Sequence, residues 1–100
     1  MKKEQLKNPD NYCVTVRFEN ISLSKSTKLS KDFRETSKSN GLYIGQPTHL
    51  DSLTFTDLFF WVSEPPDNWE DTFINSLEQV TQDIGWEIEN DEDGITIKSP

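Results

Sequence analysis

Hydrophobic and polar side chains alternate from residue 12 to residue 19, which is typical of a half-buried β-strand. Val14, Val16 and Phe18 fall on one face of this strand, and mostly polar side chains fall on the other. The alternation changes phase at Asn20, which predicts a bend or bulge where the strand ends. The first predicted element is therefore a strand with one buried face.

The most apolar stretch of the chain lies at residues 53–62 and predicts a longer strand. Apolar side chains occupy both of its faces, so it is predicted either to be central in a sheet or to present its outer face to another chain. Leu58, Phe60 and Val62 form one face, which is the candidate contact for a homodimer. The other face carries Leu53, Phe55, Phe59 and Trp61.

Apolar side chains recur every three or four residues from Trp69 onward, which predicts an amphipathic helix over residues 68–84. Asp67 and Glu70 have the spacing of a capping box at its start, and Gly85 is typical of a helix end. The apolar stripe of this helix consists of Trp69, Phe73, Leu77, Val80 and Ile84.

Residues 22–40 form a basic segment that is rich in Ser and Lys and carries few apolar side chains. Leu29 and Phe33 are four residues apart and Ser26 is a suitable N-cap, which predicts a helix over about residues 26–39. A loop is the alternative, because two apolar anchors make a narrow stripe.

Shorter patterns predict three more strands. Residues 42–44 are apolar and are followed by Pro47, which is typical of a strand end. Residues 86–89 and 95–98 alternate on either side of an acidic turn at 90–94, which predicts a closing hairpin.

This order of strands and helices predicts an α+β fold. An antiparallel sheet of the ferredoxin-like (split βαβ) plan, with one extra strand from the C-terminal hairpin, accommodates all the predicted elements. If residues 22–40 are a loop, the alternative is a single helix on an antiparallel sheet. One domain over residues 1–100 is expected, because no linker separates two apolar regions. Residues 1–11 are expected to be a disordered tail of this domain.

The tryptophans supply large apolar surfaces in a chain that is only 32% hydrophobic. Trp69 and Trp86 match the helix stripe and the inward side of the following strand, which predicts that both are buried. Trp61 is assigned either to the core or to an interface.

Charge divides the chain. The first forty residues carry nine Lys/Arg against five Asp/Glu, whereas the last sixty carry Lys98 alone against thirteen acids, and the net charge is −8. Such an excess repels nucleic acids and anionic membranes. The predicted function is therefore a protein-binding module, an inhibitor or adaptor of bacterial or phage type, that docks on a basic protein surface, with nucleic-acid mimicry as one form. The predicted contact residues are Asp67, Asp71, Glu78, Glu87 and Glu89.

The alternative function is direct nucleic-acid binding by the basic segment. Without any such binding, the basic segment would be a solvated helix or loop that offsets part of the acidic charge. The residues available for such contacts are Lys25, Lys28, Lys31, Arg34 and Lys38.

Few residues are suited to catalysis. A nucleophilic Cys13 activated by His49, the only histidine, and oriented by Asp51 is the sharpest enzymatic hypothesis. Neither Cys13 nor His49 lies in a catalytic signature, and the sequence has no phosphate-binding loop or metal-spaced Cys/His set. The turn at 90–94 lacks the ligand pattern of an EF-hand. The sequence therefore predicts neither an enzyme nor a cofactor or metal site.

Cysteine usage and hydropathy predict a cytoplasmic protein. Cys13 is the only cysteine, so an internal disulfide is excluded. No apolar run approaches the roughly 20 residues that a membrane span needs, and the residues after Met1 have no signal-peptide pattern.

Overall fold

A computed structural model describes residues 7–8, 11–91 and 94–99 of the chain. In this part of the chain six strands and two helices follow one another. Their bounds are β1 Lys7–Asn8, β2 Asn11–Glu19, α1 Leu23–Ser39, β3 Thr48–Asp51, β4 Phe55–Ser63, α2 Trp69–Asp83, β5 Glu87–Asp91 and β6 Gly94–Lys98.

The strands form one mixed sheet in the order β3-β4-β2-β6-β5, and the short β1 pairs with the start of β2. β2 is antiparallel to β4 but parallel to β6, while β3–β4 and β5–β6 are antiparallel hairpins. The α+β class is confirmed. The sheet is mixed rather than antiparallel throughout, because the second strand of the C-terminal hairpin lies beside β2 and leaves β5 at the edge. The ferredoxin-like arrangement stays a prediction.

Both helices pack on the same face of the sheet, which we call the covered face. Phe33 of α1 and Phe73 of α2 meet edge to face at 4.8 Å between ring centroids, and both meet Phe60 of β4. Burying each phenylalanine contributes roughly 1.5–3 kcal/mol to stability. The buried strand residues of the covered face are Val14, Val16, Phe18, Leu58, Phe60, Val62, Ile95 and Ile97.

Helix α2 confirms the helix predicted over residues 68–84 to within one residue at each end. Its N-cap is Asn68 in a left-handed conformation (φ 61°) with no side-chain capping hydrogen bond, so the predicted capping box of Asp67 and Glu70 does not start the helix. Asn adopts this conformation more readily than most residues because its short polar side chain can hydrogen-bond to nearby backbone groups. Gly85, at φ 74°, ends the helix as expected.

Helix α1 confirms the helix predicted near residues 26–39 and excludes the loop alternative. It starts earlier, because Ser22 is the N-cap and its hydroxyl accepts from the Lys25 amide at 3.3 Å. Ser26, the predicted cap, is buried and donates to the Leu23 carbonyl at 2.9 Å. The side chains that α1 buries are Ser26, Leu29, Ser30, Phe33 and Ser37.

The strand predicted at residues 42–44 is reduced to one bridge, in which Ile44 pairs with Val62. The paired strand is β3, which follows Pro47. The chain thus meets β4 twice, first through this bridge and then through β3. Leu53, predicted to share a face with its neighbours in the strand, is fully exposed in the turn before β4, at 103% of its reference surface.

Some predictions fall on residues outside the described ranges. Of the tail predicted over residues 1–11, residues 1–6, 9 and 10 lie outside them, while Lys7–Asn8 forms β1 and Asn11 starts β2. Residues 92–93 of the acidic turn also lie outside.

Among the described residues, neither helix has the length and the apolar character that crossing a membrane requires.

Candidate functional site

The face of the sheet opposite the helices, which we call the open face, is defined by the register of β2 and β4. Alternation along each strand turns the neighbours of the covered residues in sequence away from the helices. No helix in the described part of the chain lies on this side. The directly opposed pairs on the open face are Cys13–Trp61, Thr15–Phe59, Arg17–Asp57 and Glu19–Phe55.

An ion pair fixes the centre of the open face. The Arg17 guanidinium donates through Nε and Nη2 to the two carboxylate oxygens of Asp57, at 2.8 and 2.9 Å. The guanidinium carbon also lies 3.8 Å from the centroid of the Phe55 ring. The Asp57 hydrogen bond raises the pKa of Arg17. Because its guanidinium group is held by both Asp57 and Phe55, the exposed half of Arg17 presents a fixed cation–aromatic surface.

Three aromatic side chains of β4 line the open face, and we call them the aromatic row: Phe55, Phe59 and Trp61. The two phenylalanines are half-buried, and Trp61 is 38% exposed. At about 3.3 Å per residue the row is about 20 Å long. Leu50 of β3, which is more than half exposed, lies opposite Asp57 and extends the apolar surface toward the sheet edge.

Among the described strand residues, carboxylates border the aromatic row on its β2, β6 and β5 side. Ile88 packs against the core, so Glu87, Glu89 and Asp91 point to the open face of β5 by alternation. With Glu19 of β2 they form what we call the acidic border. Lys98 of β6 lies among them.

Lys98 neutralises only part of the acidic border. Its Nζ lies 3.2 Å from the Glu89 carboxylate and 3.9 Å from that of Glu19. The hydrogen bond to Glu89, followed by the charges of Glu89, Glu19 and Glu87, raises the pKa of Lys98. Glu19, Glu87 and Glu89 with one ammonium group leave this border negative.

The acidic surface predicted from the sequence is divided between two sides of the molecule. Asp71 and Glu78 lie on the side of α2 that faces away from the core, and Asp67 is exposed just before that helix. Glu87 and Glu89 lie on the open face, beyond the sheet. The structure therefore brings together the two strand carboxylates but not all five residues.

The five basic residues of α1 spread around the exposed half of the helix. Lys28, Lys31 and Lys38 lie opposite the buried stripe, while Lys25 and Arg34 lie on its two flanks. The two acidic residues of α1 lie among them. The basic segment thus presents a mixed surface that is basic on balance.

The candidate homodimer face lies inside the protein. Leu58, Phe60 and Val62 are 1%, 1% and 0% exposed because both helices cover their side of β4. The structure thus removes these residues from any dimer contact of the folded chain. Trp61, on the opposite side of β4, is the exposed apolar residue of this strand.

The other tryptophans lie where the sequence placed them or close to it. Trp69 is buried in the core, and Trp86 is half-buried and packs against it.

Cys13 and His49 are not brought together. Cys13 lies opposite Trp61 and belongs to the open face, whereas His49 lies opposite Leu58 and belongs to the covered side of the sheet edge. Burial raises the pKa of the Cys13 thiol, which disfavours the reactive thiolate. Asp51 shares the outer strand with His49. The described residues contain no group of three or more His, Cys, Asp or Glu side chains arranged to hold a metal ion.

A groove of about 590 Å³ lies between α1 and the C-terminal end of α2. This volume is within the usual range of small-molecule sites, roughly 300–1,000 Å³. Its apolar lining includes Leu29, Ile84 and Trp86. Two lysines and three carboxylates also line the groove, so it favours neither an anionic nor a cationic ligand strongly.

Comparisons of the chain with protein-family models, with curated proteins and with solved structures found no match.

Proposed function

We propose that this chain is a small protein-binding module that docks on a basic protein surface through the open face of its sheet. The observation that carries the proposal is the combination, on one helix-free face, of the aromatic row and the acidic border. Protein interfaces commonly have an apolar, aromatic centre and a charged rim.

The centre of the open face has the composition of an interaction hot spot. Trp, Tyr and Arg are the residues that most often dominate binding energy, and Trp61 lies in the same face as Arg17. Arg17 is held in place by Asp57, so little side-chain entropy is lost when a partner covers it. The aromatic row therefore supports short-range affinity.

Negative charge supports fast and selective association. The acidic border lies next to the aromatic row and attracts a cationic partner surface during its approach. Asp67, Asp71 and Glu78, on the other side of the molecule, contribute to the long-range field without touching a partner on the open face. Nucleic-acid mimicry remains one form of this proposal, in which the carboxylates of the acidic border take the place of phosphates.

The proposed biological setting is an inhibitor or adaptor of bacterial or phage type in the cytoplasm. The buried thiol of Cys13 suits a reducing compartment. For the fold, we propose the split βαβ plan with one inserted strand. Without β6 the strand order is β3-β4-β2-β5, as in that plan.

The charge-reversal experiment compares two pairs of carboxylates. The partner is captured from a native cell extract, and its affinity is measured for wild type, for Glu87→Lys/Glu89→Lys and for Asp71→Lys/Glu78→Lys. Each pair changes the net charge equally. We expect the β5 pair to weaken binding by about tenfold or more and to reduce its salt dependence, and the α2 pair to have a much smaller effect. An equal or larger loss for the α2 pair contradicts docking through the open face.

Nucleic-acid binding by α1 is the second candidate function. It is favoured by Lys28, Lys31 and Lys38, which share the solvent side of that helix. A gel-shift titration with single- and double-stranded DNA and RNA at low salt tests it, because phosphate contacts are strongest there. The absence of a shift at low salt rules this function out as a primary activity.

A further inference from the structure

We infer that the partner element recognised by the open face is a basic amphipathic helix lying along the aromatic row. This inference rests on the proposed function and specifies the chemistry of the partner.

The shape of the open face favours a helix over an extended segment. The face presents side chains, whereas the backbone groups of β2 and β4 are engaged in the ladder between these strands. An extended segment laid on such a face would bury backbone N–H and C=O groups without partners. A helix satisfies its own backbone and buries only a stripe of side chains.

The dimensions of the aromatic row match a short helix. The row is about 20 Å long, which equals about 13 helical residues at 1.5 Å per residue. Such a helix offers three to four turns, so apolar side chains at every third or fourth position form one stripe along the row. Trp61 lies at one end of the row, and Leu50 of β3 lies beside its middle.

The distribution of charge specifies one flank of that helix. The acidic border lies on the β2, β6 and β5 side of the row, whereas the described residues of β3 contribute Thr48 and Leu50 to the open face. Three strand spacings of about 4.8 Å separate β4 from β5, or about 14 Å. A helix 10–12 Å wide lying over β4 and β2 thus brings its Lys or Arg side chains on that flank above Glu87 and Glu89.

Charge disfavours the other occupants. A second copy of this chain carries the same acidic border and the same net charge of −8. A nucleic acid would bring phosphates toward the carboxylates of the acidic border. Arg17 and Lys98, the cations of this face among the described side chains, are already in ion pairs. A cationic protein segment is the occupant that the charges complement.

Three synthetic peptides of about 14 residues and one oligonucleotide test the inference on the full chain. The first peptide is an amphipathic helix with Leu on one stripe and Lys along one flank. The second has the same composition in an order without amphipathic periodicity, and the third replaces Lys by Glu. The oligonucleotide is single-stranded DNA. Binding is measured by calorimetry, and amide chemical-shift changes locate it on the wild-type protein.

We expect the basic amphipathic peptide to bind about tenfold or more tightly than the other three ligands, with shifts concentrated on β2 and β4. Trp61→Ser should remove most of this preference. Ile84→Ser, which changes an exposed apolar residue at the end of α2 on the helix side of the sheet, should leave it intact. Equal binding of the reordered peptide, tighter binding of DNA, or shift changes located on the helices overturns the inference. The shift changes are measured on the wild-type protein, so this test holds even if a variant fails to fold.

The two proposals fail in different ways. If the captured partner is insensitive to reversal of Glu87 and Glu89, docking through the open face is wrong. If the partner is sensitive to that reversal but the amphipathic peptide neither binds nor competes with it, the open face is still a protein-binding site and only the helical partner is wrong.

Discussion

The two faces of β4 are about equally apolar in sequence and entirely different in their surroundings. Phe60 lies in an aromatic cluster under both helices, whereas its neighbour Trp61 faces outward and keeps 38% of its surface exposed. The adjacent strand explains the difference. Beside the covered face β2 places Val14 and Val16, and beside the open face it places Arg17 and Glu19. Apolar content alone therefore does not identify the buried face of a strand, but the residues on the neighbouring strand do.

The largest expected difference between the faces is in stability. Phe60→Ala removes a ring that meets Phe33 and Phe73, and we expect the free energy of unfolding to fall by about 3–5 kcal/mol. Trp61→Ala should cost about 1 kcal/mol, because the indole is partly solvated in the folded state. Urea unfolding measures both. Equal losses would contradict the assignment of the two faces.

Breaking the central ion pair of the open face should cause the next largest loss of stability. Arg17→Met leaves the Asp57 carboxylate, whose side chain is only 7% exposed, without its partner. Breaking a buried pair costs about 3–5 kcal/mol, and the half-exposed position of Arg17 reduces the expected loss to about 2 kcal/mol. Lys98→Met is the control, since it breaks an exposed pair on the same face and should change stability little. A loss no larger than that of the control would show that the Arg17–Asp57 pair is not structural.

Ionisation of the Cys13 thiol on the open face should have a smaller effect on the free energy of unfolding. Burial raises the pKa of Cys13 above its ordinary value of 9.0, so the unfolded chain loses this proton first as the pH rises. The contribution of Cys13 to stability is therefore complete below pH 9.0 and is lost as the pH rises through the higher folded-state pKa. Urea unfolding of wild type and Cys13→Ala between neutral pH and pH 10 should show a steeper decline for wild type. Parallel pH profiles would mean that the thiol is not buried in solution.

The smallest expected effect on stability is at the acidic border. Glu87→Gln/Glu89→Gln should leave the midpoint of urea unfolding essentially unchanged, since both side chains are exposed. The same variant should slow association with a cationic partner at low salt, which stopped-flow measurements detect. Asp71→Asn/Glu78→Gln, which removes the same charge from α2, is the matched control. An equal slowing by that pair would show that the border acts only through net charge.

The helices show how far periodicity predicts this fold. The position of α2 follows from its stripe of large side chains beginning at Trp69. The true start of α1 is less evident, because Ser26, Ser30 and Ser37 occupy buried positions that usually carry hydrophobic residues. Serine is small enough to pack closely in these positions, but a hydropathy pattern counts it as polar and so does not show that the positions are buried. The helix was predictable from two anchors, but its boundary was not.

Long-range pairing explains what the sequence did not predict. β3 lacks alternation and is defined only by its contact with β4, and the parallel pairing of β2 with β6 joins residues as distant as Val16 and Ile95. The candidate site has the same origin. Asp57 is the charged residue inside an apolar strand, and Arg17 occupies the outward side of the first strand, but only the register shows that they are opposite each other.

The position of β6 beside β2 has a consequence for the order in which the protein is completed. During synthesis β2 emerges early and can pair with β4 on one side, while its other side waits for β6, because Val16 and Phe18 pair with Ile95 and Ile97. Closing so long a loop is entropically costly and slows folding. In a nascent chain that does not yet include β6, β2 therefore lacks a hydrogen-bonding partner on one side, although it is the central strand of the finished sheet. Until the β5–β6 hairpin forms, the unpaired backbone of β2 is accessible to chaperones and proteases.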